Sequence, residues 1–106
     1  MVTSQQIQEI TNVIVETVHP AKVYLFGSYA NGSQTSDSDI DLLVIMPDRK
    51  KKKTTLAKLL HDKTRLLAAV PKDIIIDFSE KYERFHTIPY SFIGHIVKTG
   101  NLLYES

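Results

Sequence analysis

Two stretches decide the fold: Lys22-Val23-Tyr24-Leu25-Phe26-Gly27-Ser28-Tyr29-Ala30-Asn31-Gly32-Ser33, and Ser38-Asp39-Ile40-Asp41-Leu42-Leu43-Val44-Ile45. The first opens on a β-branched and aromatic run ended by Gly27, the pattern of a short strand leaving through a Gly-Ser turn. The second reads as a strand from Asp39 to Ile45, halted by Pro47 and almost wholly apolar past Asp41. Side chains alternate in a strand, so Asp39 and Asp41 share a face with Leu43 and Ile45, while Ile40, Leu42 and Val44 share the other. Both faces are apolar, which predicts a strand buried on both sides with two carboxylates at its entrance.

Working outward, Ile7, Ile10, Ile14 and Val18 recur at helical spacing, with Thr3 and Gln6 forming a capping box and His19-Pro20 ending the helix. Leu56, Leu59, Leu60, Leu67 and Val70 predict a second long helix over residues 54–70. Pro71-Lys72 opens a third strand, Asp73-Ile74-Ile75-Ile76-Asp77-Phe78. Residues 90–98 predict a third helix, and Leu102-Leu103-Tyr104 a final strand after Gly100-Asn101. This order is α/β or α+β, a small mixed β-sheet flanked by helices. The chain has 106 residues, thirteen Lys and Arg against twelve Asp and Glu, and no cysteine. Disulfides, thiolate metal sites and a cysteine nucleophile are excluded. The balanced charge argues against a nucleic-acid binder, and the lack of a long apolar run or a signal-peptide pattern argues against a membrane span and for a cytoplasmic protein.

Asp39 and Asp41 lie ~6–7 Å apart along one strand face, where like charges in a partly dry site raise one another's pKa unless a cation sits between them. Oxygen-only donors suit Mg²⁺ or Mn²⁺ better than zinc. Taken alone, Asp-x-Asp also marks an ordinary solvated strand entry. The preceding Gly27-Ser28 changes the balance, because glycine lets a phosphate approach the backbone and amides at a helix start carry partial positive charge.

Gly27-Ser28, then Gly32, then Ser38-Asp39-Ile40-Asp41-Leu42-Leu43-Val44 resembles the signature of the polymerase β-like nucleotidyltransferase superfamily, and the small size resembles its minimal nucleotidyltransferases, partners of HEPN-domain proteins. The resemblance implies a single nucleotidyltransferase domain over residues 1–106. It implies that Asp39 and Asp41 hold two Mg²⁺ ions (Mn²⁺ being the alternative), that Gly27 and Ser28 bind the triphosphate of ATP, and that Asp73 is the third catalytic and metal-binding carboxylate. Asp77, on the same face as Asp73, is the rival for that place. The implied activity is transfer of a nucleoside monophosphate, AMP from ATP, to a hydroxyl, with a tyrosine of a HEPN-type toxin as acceptor and an antitoxin role for the chain. So small a core is expected to need a HEPN partner or a second copy of itself to complete the site.

Two other functions stay open: an inactive relative that neutralises its partner by occupying it, and a nucleic-acid binder acting through Lys50 to Lys53. Family members often carry Arg in the loop after Gly-Ser, where Tyr29 and Asn31 stand here. Arg49 and Lys50 to Lys53 are the candidates to balance phosphate charge instead, or else form a solvated loop. His19, His61, His86 and His95 show no metal-ligand spacing and are expected at helix ends and surfaces. Tyr82, Phe85, Tyr90 and Phe92 are expected in the core or an interface.

Overall fold

The computed structural model describes residues 2–68 and 70–106. Helix α1, Ser4–Val18, begins at the Thr3–Gln6 capping box and ends where His19 turns left-handed. Strand β1 is Lys22–Phe26, the four-residue helix α2 is Ser28–Asn31, and strand β2 is Ile40–Met46. Helix α3, Lys53–Thr64, leads to β3, Lys72–Phe78, followed by α4, Ser79–Phe85, α5, Phe92–Thr99, and β4, Asn101–Glu105.

The four strands form one mixed sheet in the order β3-β2-β1-β4. β1 runs antiparallel to both β2 and β4, and β2 is parallel to β3. The parallel pair requires a crossover, which α3 supplies. Helices α1 and α3 cover one face, where Ile10, Ile14, Leu56 and Leu60 meet Ile40, Leu42, Val44 and Ile76. Helices α4 and α5 cover the other, where Tyr82, Ile93 and Ile96 meet Tyr24, Leu43 and Ile45. The expected alternation along β2 is therefore the actual one, with each face feeding its own core.

One expectation needs correction, and one helix carries too short a pattern to be read. The helix predicted over 54–70 stops at Thr64; Leu67 N–H bonds back to the Thr64 carbonyl in a turn, and Ala69 lies outside the described residues. The crossover only has to span the height of the sheet, and twelve helical residues cover about 18 Å of the roughly 23 Å of a seven-residue strand. The rest of the segment is used to turn back into β3. Helix α4 was not foreseen, since seven residues carrying Tyr82 and Phe85 make too short a pattern. Of the four aromatics, Tyr82 is buried and Phe85 half-buried, whereas Tyr90 is 92% and Phe92 54% exposed.

Candidate active site

Three strand ends meet at one edge of the sheet. In the antiparallel pair Phe26 stands opposite Asp41, and in the parallel pair Asp41 stands opposite Asp73. Asp41 and Asp73 therefore sit on neighbouring strands, ~5 Å apart along the ladder, and point to the same face. That is the face of α4 and α5, since Leu43, Ile45 and Ile75 beyond them all belong to that core. Asp39 lies just outside β2 and is exposed. A turn fixes its approach: Ser38 N–H bonds to the Thr35 carbonyl at 3.1 Å, and Thr35 N–H to Ser38 Oγ at 2.9 Å. Ile40 N–H then bonds to the Pro71 carbonyl at 3.1 Å, tying the entrance of β2 to that of β3.

The Asp41 carboxyl is raised above its ordinary 3.8, first by burial, then by the negative charge of Asp73 and of Asp39. Half-buried Asp41 thus feels both of the other carboxylates. Burial disfavours its ionised form and two like charges compound the effect, so a cation at this edge would relieve both. Gly27 closes the site from the other side. Its backbone, at φ 74° and ψ −152°, lies in a region open essentially to glycine alone. A Cβ there would collide with the Asp41 carboxylate. The Gly-Ser turn thus presses bare backbone against the central carboxylate, and the first amides of α2, which have no intrahelical acceptor, follow at once.

The donor set fits a hard divalent cation: oxygen ligands only, crowded enough to repel one another. Among the described residues, however, no three His, Cys, Asp or Glu side chains already converge as a ready-made cage. The carboxylates share a strand mouth, and an ion bound there would take the rest of its shell from water and phosphate, as Mg²⁺ commonly does.

Asp77 lies at the other end of β3, opposite Ile45, and is buried. Lys53 Nζ approaches it at 3.5 Å and Lys81 Nζ at 3.3 Å, while Phe78 N–H donates to its Oδ1 at 2.9 Å. It is an ion-paired strand-end residue and stands apart from Asp41. The basic run is also at that far end. Arg49 pairs with Glu80 at 3.3 Å and rests 4.4 Å from the Phe78 ring centroid. From Asp41 to Ile45, the residue opposite Asp77, the strand runs ~13 Å, so Arg49 and Lys53, paired with Glu80 and Asp77, lie toward the other end of the sheet from Gly27 and Ser28. Tyr29, in the loop that carries no cation, is buried and accepts a bond from Val2 N–H at 3.2 Å. Asn31 turns its carbonyl to Ser33, whose N–H donates to it at 3.0 Å.

Beside Gly27 the structure opens a cleft of about 350 Å³ lined by Phe26, Gly27, Asn31, His95 and Thr99. Phe26, in its wall, makes an edge-to-face contact with Phe92, ring centroids 5.8 Å apart. His95 is exposed, as its place on a helix surface predicts. No spacing within α5 announces the cleft, which exists only because α5 packs across the end of β1.

The chain matches the model of the nucleotidyltransferase domain over residues 7–98. No curated protein matches it. Among solved structures, it is similar to a toxin-antitoxin complex crystallised with AMP-PNP, at 22% identity and a TM-score of 0.60, over 93% of this chain and 73% of the other. It is similar to a candidate nucleotidyltransferase from Sulfolobus solfataricus at 20% identity and a TM-score of 0.60, over 95% of this chain and 78% of that one. It is also similar to the spectinomycin adenyltransferase of Enterococcus faecialis solved with ATP and spectinomycin, at 17% identity and a TM-score of 0.62. There it aligns over 86% of its own length and spans only 38% of the other chain. These structures share the mixed sheet flanked by helices. With its model matched from the first helix to the last, the chain belongs to the nucleotidyltransferase domain family.

Proposed function

We propose that the chain transfers AMP from ATP to a hydroxyl group and releases pyrophosphate, with Asp39, Asp41 and Asp73 as its acidic residues and Gly27 and Ser28 as its phosphate contacts. The observation that carries this is the crowding at Asp41: burial and then two further carboxylates raise its pKa, and a glycine-only turn lies against it. Mg²⁺, if bound there by Asp39 and Asp41, would supply the positive charge that holds the phosphates and stabilises the entering and leaving oxygens of an in-line displacement. Asp39 and Asp41 hold that charge. The bare backbone of Gly27 and the hydroxyl and amide of Ser28 contact the triphosphate. Asp73, exposed at the rim, is placed to accept the proton of an incoming hydroxyl. A HEPN-type partner or a second copy of the chain completes the site.

The acceptor we favour is a tyrosine of a HEPN-type toxin, with the chain as its antitoxin. The family resemblance supports this, as does the similarity to a structure described as a toxin-antitoxin. The test is to incubate the chain and its candidate partner with ATP and Mg²⁺ and to weigh both. A gain of about 329 Da, the mass of an added AMP group, on the partner, lost with Asp41→Asn, is expected. A stable complex with no mass gain, and with toxicity still suppressed by the Asp41→Asn chain, would replace transfer by simple occupation.

A further inference from the structure

Three carboxylates and a triphosphate together outweigh the charge of two divalent cations, so a nucleotide at this site needs further donors from the protein. The described residues near the strand mouths supply few. The loop from Gly27 to Gly32 has no cation, and its Tyr29 is committed to the core. Arg49 and Lys53 are at the far end, engaged with Glu80 and Asp77. Lys72 adjoins Asp73 but alternates to the opposite face, where its Nζ donates to the Ala68 carbonyl at 3.3 Å. Of the five residues lining the cleft beside Gly27, only His95 has a nitrogen-heterocycle side chain able to donate strongly to an anion.

His95 is also well held without being used. Helix α5 is anchored by buried Ile93 and Ile96, and its start is capped by Ser91, whose Oγ accepts from Gly94 N–H at 2.9 Å. Its end is fixed against β1, because Gly100 packs so closely on the Leu25 carbonyl that a Cβ would stand 2.6 Å from that oxygen. The backbone of His95 is thus rigid: its carbonyl accepts from Thr99 Oγ1 at 2.8 Å and its N–H donates to the Ser91 carbonyl at 2.9 Å. Among the described residues its exposed imidazole has no hydrogen-bond partner. A rigidly presented, unengaged donor in the wall of the cleft is the arrangement a bound ligand requires.

We propose that the His95 imidazole donates a hydrogen bond to a phosphate oxygen of the nucleotide, standing in for the cation that the loop after Gly27-Ser28 lacks. This deepens the nucleotide site proposed above and rests on it.

Two measurements test it. In the first, inorganic triphosphate with Mg²⁺ competes with a fluorescent ATP analogue on the full chain. His95→Ala is expected to weaken triphosphate about tenfold or more, the scale of a hydrogen bond to a charged group. His95→Gln, which keeps an N–H donor, should restore most of the affinity, and the melting temperatures of all three proteins should agree. In the second, imidazole resonances are followed by NMR as AMP-PNP and Mg²⁺ are added. His95 should shift in saturable fashion while His19, at the other end of β1 next to its Lys22 start, stays still. Unchanged triphosphate affinity in His95→Ala, or a His95 signal that does not move while the analogue binds, overturns the proposal and leaves the nucleotide site standing. If the wild-type chain binds neither triphosphate nor the analogue, the site itself falls, and the inference falls with it.

Discussion

Asp73 and Asp77 stand on one face of one strand, ~13 Å apart, and meet opposite fates. Asp77 is buried, bonded to the Phe78 N–H and approached by two lysine ammonium groups, so its charge is compensated within the chain. Asp73 is exposed and faces Asp41, whose own carboxyl is already pushed up by burial and by its acidic neighbours. One end of the sheet balances its charges internally and the other leaves them in conflict. Structural carboxylates are normally arranged in the first way. An uncompensated cluster at a strand mouth costs stability unless something external compensates it, and is therefore where a ligand belongs.

The sharpest way to test the contrast is Asp41→Asn. It should reduce pyrophosphate release by roughly a thousandfold or more, as expected for a group that holds charge in the transition state, with initial rates in Mg²⁺ as the measure. The same change should stabilise the metal-free protein at neutral pH. A raised folded pKa means that the folded state binds this proton more tightly. Asp41 therefore helps folding below its ordinary 3.8, and that help is lost as pH rises through the elevated value. The melting temperature of Asp41→Asn relative to wild type should accordingly climb with pH across this window. If the wild type were instead the more stable above it, the carboxylates would not be in conflict.

Gly27→Ala comes next. Its backbone strain costs about 1–3 kcal/mol, and its methyl must displace the Asp41 carboxylate, so both the melting temperature and transfer should drop. Gly32 is the control: it also has positive φ, 80°, but open space around its Cβ position, so Gly32→Ala should cost about 1 kcal/mol, the strain alone. Thermal melts separate the two, at ~4–8 °C per kcal/mol for a chain of this size. Equal losses would remove the contact between Gly27 and Asp41.

At the balanced end, Asp77→Ala leaves the Phe78 N–H without its side-chain acceptor and two lysines facing each other. A loss of about 1–3 kcal/mol is expected in a denaturant titration, with the transfer rate per folded molecule unchanged. A rate that fell with it would restore Asp77 as a rival to Asp73. The smallest effect belongs to the exposed basic run: Lys51→Ala and Lys52→Ala should each change stability by less than ~0.5 kcal/mol and leave nucleotide affinity as it was. A clear drop in ATP affinity would contradict the separation of the two ends.

Much of the frame was legible from local pattern. The capping box at Thr3, the two-sided apolar run after Asp41 and the Ile-rich β3 all express periodicities that depend on nearest neighbours along the chain, and each element formed where it was expected. The spacing of Gly27-Ser28 from Asp39 and Asp41 was readable for the same reason. Helix α4 and the early end of α3 were not, because one is too short to show a period and the other is set by the height of the sheet it has to cross.

The chain's local pattern alone was enough to show which strand face Asp41 and Asp73 occupy and that Gly27 ends a strand, since alternation in a strand and glycine's freedom at positive φ are local properties. The folded arrangement was needed to show that Asp73, not Asp77, stands beside Asp41, that Arg49 and Lys53 lie toward the Asp77 end of the sheet, and that α5 brings His95 to the cleft. Those are matters of strand register and helix packing, which join residues far apart in the chain through the shared burial of apolar surface and leave no mark in any short stretch of it.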